Sequence, residues 1–321
     1  MEKNNLLYSE IKNMSFFNKI FKQKKICVTH NGAFHTDDLF ATATLSILNN
    51  GNIKIIRTRD PKIFEKADYL YDVGGENNPE KNKFDHHQKG GGGVRENGIP
   101  YASFGLVWKA YGEQICGSKE IAERIDKKIV EPIDATDEGF DIYNPKIKDV
   151  FPYSVEAIFL SESPTWKESI SNIDTIFLKQ VDKAIILLKR EIIIAKDDIS
   201  GINTLLEDYK NREDKKIIIS NTDFPRYLLQ DTLSRLPEPI YLVYPSSKSN
   251  LWKVEAIRKS PETLESRKYF PESWRGFTGG DQKLKDITGI SDIVFCHQNG
   301  FYLNAKSKEG AIKLAEKALL A

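Results

Sequence analysis

The chain has 321 residues, with 47 Lys and Arg against 46 Asp and Glu for a net charge of +1, a balance that excludes a strongly basic nucleic-acid-coating protein while permitting a local basic groove. Apolar residues make up 40% and aromatic residues 11% of it, which is ample for packed interiors, and the length points to two domains rather than one core. Cys27, Cys116 and Cys296 are odd in number and widely spaced, the pattern of a reducing compartment and not of a disulfide framework.

Residues 1–23 are lysine-rich with amphipathic spacing, but they carry Glu2 and Glu10 and no arginine. They read as an N-terminal extension rather than a transit peptide. KKICVTH (24–30) is a short apolar strand, and TDDLFATATLSILNN (36–50) has helical spacing with Thr36 as its N-cap. NIKIIRTRD (52–60) is a second strand. Asp60-Pro61 opens a turn, KIFEKA forms a short helix, and DYLYDVGG supplies a third strand. Strands alternating with helices predict parallel βαβ units, in which ligands gather outside the carboxyl ends of the strands.

YASFGLVWKAYGEQI (101–115) and SKEIAERIDKKIVEPID (118–134) have helical periodicity, and long helical patterns fill 145–210. After Lys210 the texture changes to short apolar runs, KIIIS, IYLVYPS, LWKVEAIRK and DIVFCHQNGFYLNA. Ser/Asn and Asn-Gly turns among them predict hairpins in a mixed sheet. SKEGAIKLAEKALL closes the chain as an amphipathic helix. The expected organisation is an extension (1–23), a metal-binding domain ending in a helical bridge (24–210) and a second α/β domain (211–321). No run of about 18 apolar residues appears, so no membrane-spanning helix is expected.

Four of the five histidines fall in two short, aspartate-rich segments. THNGAFHTDD carries His30, His35, Asp37 and Asp38 after the first strand. FDHHQ carries Asp85, His86 and His87, shortly after Asp72 ends the third strand. IDATDEGF adds Asp134 and Asp137 behind a helix. Imidazoles with carboxylates suit a borderline-to-hard divalent ion, and the strand-end positions give these residues a reason to converge. One histidine alone is more often a packed or surface residue; the ordered set points to a metal site.

Gly90 to Gly93, with Lys89 and Arg95 nearby, read either as a backbone cradle for an anion, placing Gly91 and Gly92 against substrate, or as an ordinary surface loop. Trp274-Arg275-Gly276 with Gly279 and Gly280 can hold a phosphate through the Arg275 fork, or form a turn with a salt bridge. His297, in VFCHQNGF, sits in an expected hairpin, where packing and substrate contact are both open.

Taken in order, THNGAFHTDD, RTRDP, DVGGE, DHHQ, YASFGLVW, PESWRG and FCHQNGF resemble the melanocyte-proliferating-gene-one family, from about Lys24 to the C-terminus. The series His30-x4-His35-x-Asp37, YDVGG, DHHQ and TDEGF is also similar to that of the wider DHH phosphoesterase superfamily, which includes RecJ nucleases, small-oligoribonucleotide nucleases and manganese-dependent pyrophosphatases. The narrower family is labelled a metal-dependent protein hydrolase and also described as a 3′-5′ RNA exonuclease. The resemblance implies His30, Asp37, Asp72, His86 and Asp137 as metal ligands, with Asp72 bridging two ions and Asp134 as the alternative to Asp137. His35 stands where the superfamily has a carboxylate, which makes the first ion site richer in nitrogen. The resemblance further implies that Asp85 orients His86 and that His87 faces substrate, so that Asp85 and His87 carry the catalysis.

The expectation is an α/β chain, with a parallel-sheet, DHH-like metal domain followed by a smaller mixed α/β domain. Its expected activity is that of a metal-dependent phosphodiester hydrolase, a 3′-5′ exoribonuclease using two divalent ions, manganese ahead of magnesium. Two ions about 3.5–4 Å apart can clamp the phosphoryl oxygens of an in-line displacement. The alternatives are a hydrolase of pyrophosphate, cyclic dinucleotides or short oligonucleotides, and a metal-stabilised binding protein without turnover. Expected partners are RNA or another nucleic-acid or phosphate substrate, with no membrane; a homo-oligomer is compatible with the sequence. The expected location is intracellular, cytoplasmic ahead of nuclear or mitochondrial.

Overall fold

The computed structural model describes residues 23–277 and 281–321. The expected extension, up to residue 22, and the glycines Gly279 and Gly280 lie outside the described residues. The chain divides into two compact units, Met1–Ala195 and Lys196–Ala321.

In the first unit the expected apolar runs become β1 (Lys25–Thr29), β2 (Ile53–Arg57) and β3 (Tyr69–Tyr71). Two strands of two residues each, β4 (Asn77–Asn78) and β5 (Lys83–Phe84), join them in the order β2-β1-β3-β5-β4. β1 lies parallel to β2 and β3, and β3 parallel to β5; only β4 runs antiparallel, on β5. Parallel neighbours require crossovers, which α1 (Thr36–Leu48) and α2 (Pro61–Phe64) supply. Asp60 starts α2 by accepting the Lys62 N–H, with Pro61 preset for the first turn.

The helix α1 is buried along its length from Thr36 to Ser46. Its hydroxyls are satisfied within the interior: Thr42 Oγ1 lies 2.6 Å from both the Asp38 carbonyl and the Tyr71 hydroxyl, and Thr44 Oγ1 donates to the Phe40 carbonyl at 2.8 Å. Phe40 packs on Phe159 and Phe104, with centroids 5.0 and 5.4 Å away. The N-cap is His35, one residue before the expected Thr36. The reason is local: Asp38, at the third helical position, reaches back to accept the His35 N–H at 2.9 Å.

Beyond it come α3 (Ser103–Cys116), α4 (Lys119–Ile125), α5 (Glu131–Asp137), α6 (Val155–Leu160) and the long α7 (Ile173–Lys210). The single helix expected over 118–134 is interrupted by a π-helical turn at Asp126–Val130. Pro132, which lacks an N–H and crowds the turn before it, follows in the first turn of α5. The helical pattern expected from 145 is realised only from Val155; the intervening stretch is irregular and exposes Phe151 and Tyr153. α7 runs unbroken from the first unit into the second, and the boundary expected at Lys210 is its last residue.

The second unit holds β6 (Ile217–Ile219), α8 (Arg226–Leu233), β7 (Tyr241–Pro245), β8 (Trp252–Ala256), α9 (Gln282–Thr288), β9 (Ile293–Cys296), β10 (Tyr302–Ala305) and α10 (Lys308–Leu320). Its sheet, β6-β7-β8-β10-β9, is parallel only between β6 and β7. The two expected hairpins are β7–β8 and β9–β10. One core stacks Tyr241 on Phe270 and Phe270 on Trp274, at 5.0 and 6.5 Å between centroids, beneath Leu314 and the alanines of α10. A second joins Leu205 of α7 to Ile218, Leu229, Leu233 and Leu242. The three cysteines are buried and free. Among the described residues no helix is long and apolar enough to cross a membrane.

Candidate metal centre

Three parallel strands deliver their chemistry at their carboxyl ends. His30 follows β1, Asp72 follows β3, and Asp85, His86 and His87 follow β5. This is the edge at which open α/β sheets collect ligands. Asp72 leaves the strand in a left-handed conformation, φ 55°, uncommon for a residue with a Cβ and concentrated at functional sites. The turn lays its carboxylate between two imidazoles: Oδ2 is 3.1 Å from His30 Nε2 and Oδ1 is 3.3 Å from His86 Nε2.

Around this bridge the side chains form three overlapping groups whose ligand atoms lie within 4.8 Å of one another: His30, Asp38 and Asp72; Asp37, His86 and Asp137; and Asp72, Asp85, His86 and His87. Asp38 Oδ2 is 3.5 Å from His30 Nε2, and Asp137 Oδ2 is 3.6 Å from His86 Nε2. Asp37 and Asp38 enter from the first turn of α1, where the helix dipole favours negative charge. Asp37 also accepts the Ser103 and Phe104 N–H groups, at 3.2 and 2.6 Å, and so joins α1 to the start of α3.

The electrostatics reflect this crowding. Burial, reinforced by Asp72 and Asp137, pushes the Asp37 carboxyl well above the usual carboxylate range. Burial and Asp72 bring Asp38 up to about 7, and burial raises Asp137. Against its own burial, Asp72 is held below the usual range by the His30 and His86 imidazoles on either side of it. Burial works against a charged His86, yet Asp72 and Glu138 raise it to about 9. A divalent cation bound among these groups would require the imidazoles neutral and the carboxylates deprotonated.

Several expected residues sit elsewhere or in other pairings. Asp134 is bound to Arg95 at 2.7 Å and accepts the Gly105 N–H at 3.0 Å, so of the two aspartates it is Asp137 that meets His86. Arg95, expected to lend charge to the glycine loop, is thereby buried in ion pairs with Asp134 and Asp126. Asp85 does not orient His86. It accepts from His87 Nδ1 at 2.7 Å and from the Gly75 N–H, while His86 Nδ1 is held by Glu138 at 2.5 Å. His35 stands at the rim, half exposed, with Nδ1 3.8 Å from Asp137.

The expected substrate contacts are largely occupied by the fold. Gly91 accepts from Gln88 Nε2 at 2.7 Å. A Cβ on Gly92 would lie 2.7 Å from the Tyr101 carbonyl oxygen and 3.4 Å from His86 Cβ, so this glycine is fixed by close packing under the histidine. Arg275 donates from Nε to the Phe270 carbonyl at 2.9 Å and packs on Gly300. His297 Nδ1 accepts the Asn299 N–H at 3.1 Å within the β9–β10 turn.

Two participants go beyond the sequence expectation. Asp38 takes the place beside His30 that the resemblance gives to His35, although an acidic pair in a first helical turn beside a histidine is visible in the sequence. Glu138, which holds His86, is a neighbour of Asp137, and neighbours at a helix end diverge unless the helix has stopped.

The donor set fits a divalent ion on the structure's own terms. Asp38 Oδ2 and His86 Nε2 are buried polar atoms without a hydrogen-bond partner, and such atoms are costly unless something satisfies them. Both face Asp72, and both are ordinary ligand types for manganese, zinc or iron.

The MYG1 exonuclease family model, described as an uncharacterised protein family (UPF0160), matches residues 25–319. The MYG1 protein of Dictyostelium discoideum is 31% identical over 92% of this chain and 96% of its own length. The MYG1 exonuclease of Mus musculus is 28% identical over 91% of this chain and 84% of its own length, and the MYG1 protein of Saccharomyces cerevisiae 28% identical over 97% and 99%. Among solved structures, the pGpG-specific phosphodiesterase PggH from Vibrio cholerae aligns over 93% of this chain and 98% of that one, at 15% identity and a TM-score of 0.30. With nearly its whole described length matched by the family model, the chain belongs to the MYG1 exonuclease family.

Proposed function

We propose that this chain is a divalent-metal-dependent phosphodiester hydrolase that shortens RNA from its 3′ end, with two ions held at the carboxyl ends of β1, β3 and β5. The observation that carries this reading is the pair of three-residue groups, His30/Asp38/Asp72 and Asp37/His86/Asp137, with Asp72 in contact with the histidine of each. Several relatives bear the name exonuclease, which supports a nucleic-acid substrate. When bound, the ions supply Lewis-acid activation of water and neutralise phosphoryl oxygens. The imidazole in each group favours manganese over magnesium.

The protein's own residues divide the remaining work. Glu138 holds the tautomer of His86 by accepting at Nδ1, so that Nε2 faces the ligand side. Asp85 does the same for His87, whose side chain is 63% exposed. Its hydrogen bond to Asp85 raises the His87 pKa above the usual histidine range. In its protonated form, with Nδ1–H held by Asp85, His87 can donate from Nε2 to a phosphoryl oxygen or to the departing oxygen.

The test is turnover of 5′-labelled RNA, with DNA, pyrophosphate and cyclic dinucleotides in parallel, with and without manganese. A ladder shortening from the 3′ end, abolished by chelation, is the expected result. Cleavage of small substrates alone would move the substrate class. Manganese-loaded protein that cleaves nothing would leave a binding protein.

A further inference from the structure

Arg57, the last residue of β2, packs against the loop between His30 and His35, and its side chain is only 3% exposed. Its fork is shared between two elements. Nη1 donates to Asp174 Oδ1 in the first turn of α7 at 2.6 Å, and Nη2 donates to the Gly32 carbonyl at 2.9 Å. The guanidinium carbon lies 4.4 Å from the Phe177 ring centroid and 5.8 Å from that of Phe34, and these rings meet edge to face. Next to it, the Thr58 N–H bonds the Thr29 carbonyl at 2.8 Å, fixing β2 to the residue before His30.

Residues 31–34 therefore gain their shape from outside. Gly32 is left-handed at φ 89° and meets nothing where a Cβ would be, so the loop has little packing of its own at that point. What reaches it there is one arginine that donates to Gly32 and to Asp174 at once, a two-pronged geometry that a lysine cannot reproduce. Both ends of this loop bear on the centre: His30 on one side, His35 and the Asp37–Asp38 turn on the other. Arg57 touches no ligand atom of the three metal-binding groups.

We infer that Arg57 is a positioning residue for one half of the metal centre, holding the Asn31–Phe34 loop so that His30 and Asp38 converge on Asp72, with Asp174 as its anchor on α7. The inference rests on the two-ion reading above. It goes beyond that reading in assigning the Arg57–Asp174 pair to the His30/Asp38/Asp72 site and not to Asp37/His86/Asp137. The second group enters through β5, α5 and the contact of Asp37 with α3, none of which Arg57 touches.

The experiment is manganese titration of full-length protein by calorimetry, with equivalents counted by elemental analysis, for wild type, Arg57→Lys, Arg57→Ala and Asp174→Ala. Replacing a hydrogen-bond partner of a metal ligand weakens affinity by about 10–100-fold, and for Arg57, one step further out through the Gly32 carbonyl, the lower end of about 10-fold is expected. The expected result is loss of that size for one equivalent in Arg57→Ala, with the other changed less than about twofold. Arg57→Lys should restore the thermal midpoint over the Phe177 ring but not the affinity. Asp174 is 66% exposed, so Asp174→Ala should fold as wild type and weaken the same equivalent by a smaller factor. Unchanged affinity in folded Arg57 and Asp174 variants would overturn the assignment. So would equal weakening of both equivalents, which would give Arg57 a general structural role. Wild-type protein that binds no manganese would instead remove the two-ion reading itself, and the inference with it.

Discussion

Within the histidine pair, His86 is buried between Asp72, Asp137 and Glu138, whereas the exposed His87 ring is held chiefly by Asp85. Substitution should separate these roles. His86→Ala is expected to lose bound manganese, and His87→Ala to keep it while turnover falls about 10²–10⁴-fold. Equal metal loss in both variants, by elemental analysis, would remove the distinction. Glu138→Gln should weaken metal binding about 10–100-fold, as outer partners of ligands do. The sequence made the pair visible because two adjacent histidines are rare. It did not reveal which carboxylate serves which ring, because that depends on side-chain direction after β5, a strand of two residues with no periodicity to read. Arg275 is a similar case: its type suggested a phosphate fork, but its Nε–H is taken by the Phe270 carbonyl. Arg275→Ala is accordingly expected to cost about 1–3 kcal/mol in stability, measured by denaturant unfolding.

At the scale of elements, β1, β2, β3 and the closing helix α10 were legible because their apolar runs match a strand or helix period. β4, β5 and the π-helical turn were not, being too short or too dependent on neighbouring packing. The junction of α3 with α5 shows how tight that packing is. A Cβ on Gly105 would fall 1.9 Å from Asp134 Oδ2 and 2.9 Å from Arg95 Nη2. Gly105→Ala should therefore destabilise by about 1–3 kcal/mol through overpacking, read as a lower thermal midpoint. In the second unit the β7–β8 hairpin is tied to the preceding segment through Asp223, which accepts from Lys253 Nζ at 2.6 Å and from the Ser247 N–H and hydroxyl at 2.7 and 2.6 Å. Although burial opposes it, Asp223 is held below the usual carboxylate range by Lys253 and Ser247. A lowered folded pKa gives stability that is present above the unfolded value of about 3.9 and lost as pH falls through the folded one. Wild type should lose stability below about pH 4 more steeply than Asp223→Asn, in thermal scans across acid pH.

For the whole molecule, the first unit concentrates Asp37, Asp38, Asp72 and Asp137 in its interior, with two imidazoles against four carboxylates. A divalent ion that binds only the folded state adds about 2.7 kcal/mol at 100 times its Kd. Removing it by chelation should lower the midpoint of the first unit by several degrees, on the order of 2–4 °C per kcal/mol for a body of this size. Manganese should restore it. A midpoint indifferent to chelator and to manganese would contradict a structural contribution of the site.

The unbroken course of α7 has a further consequence, in the language of limited proteolysis. Chains of two units are commonly nicked in the segment between them, because that segment is exposed coil. Here Lys189, Arg190 and Lys196, on either side of the division at Ala195, lie inside a continuous helix, and a protease must unwind it to reach them. Lys146, Lys148 and Lys167 instead lie in exposed, irregular chain. Between Asp137 and Lys210, trypsin should therefore cut first after one of these three. One product would carry all of α7 and the second unit, and the metal-binding residues from His30 to Asp137 would lie in the other fragment.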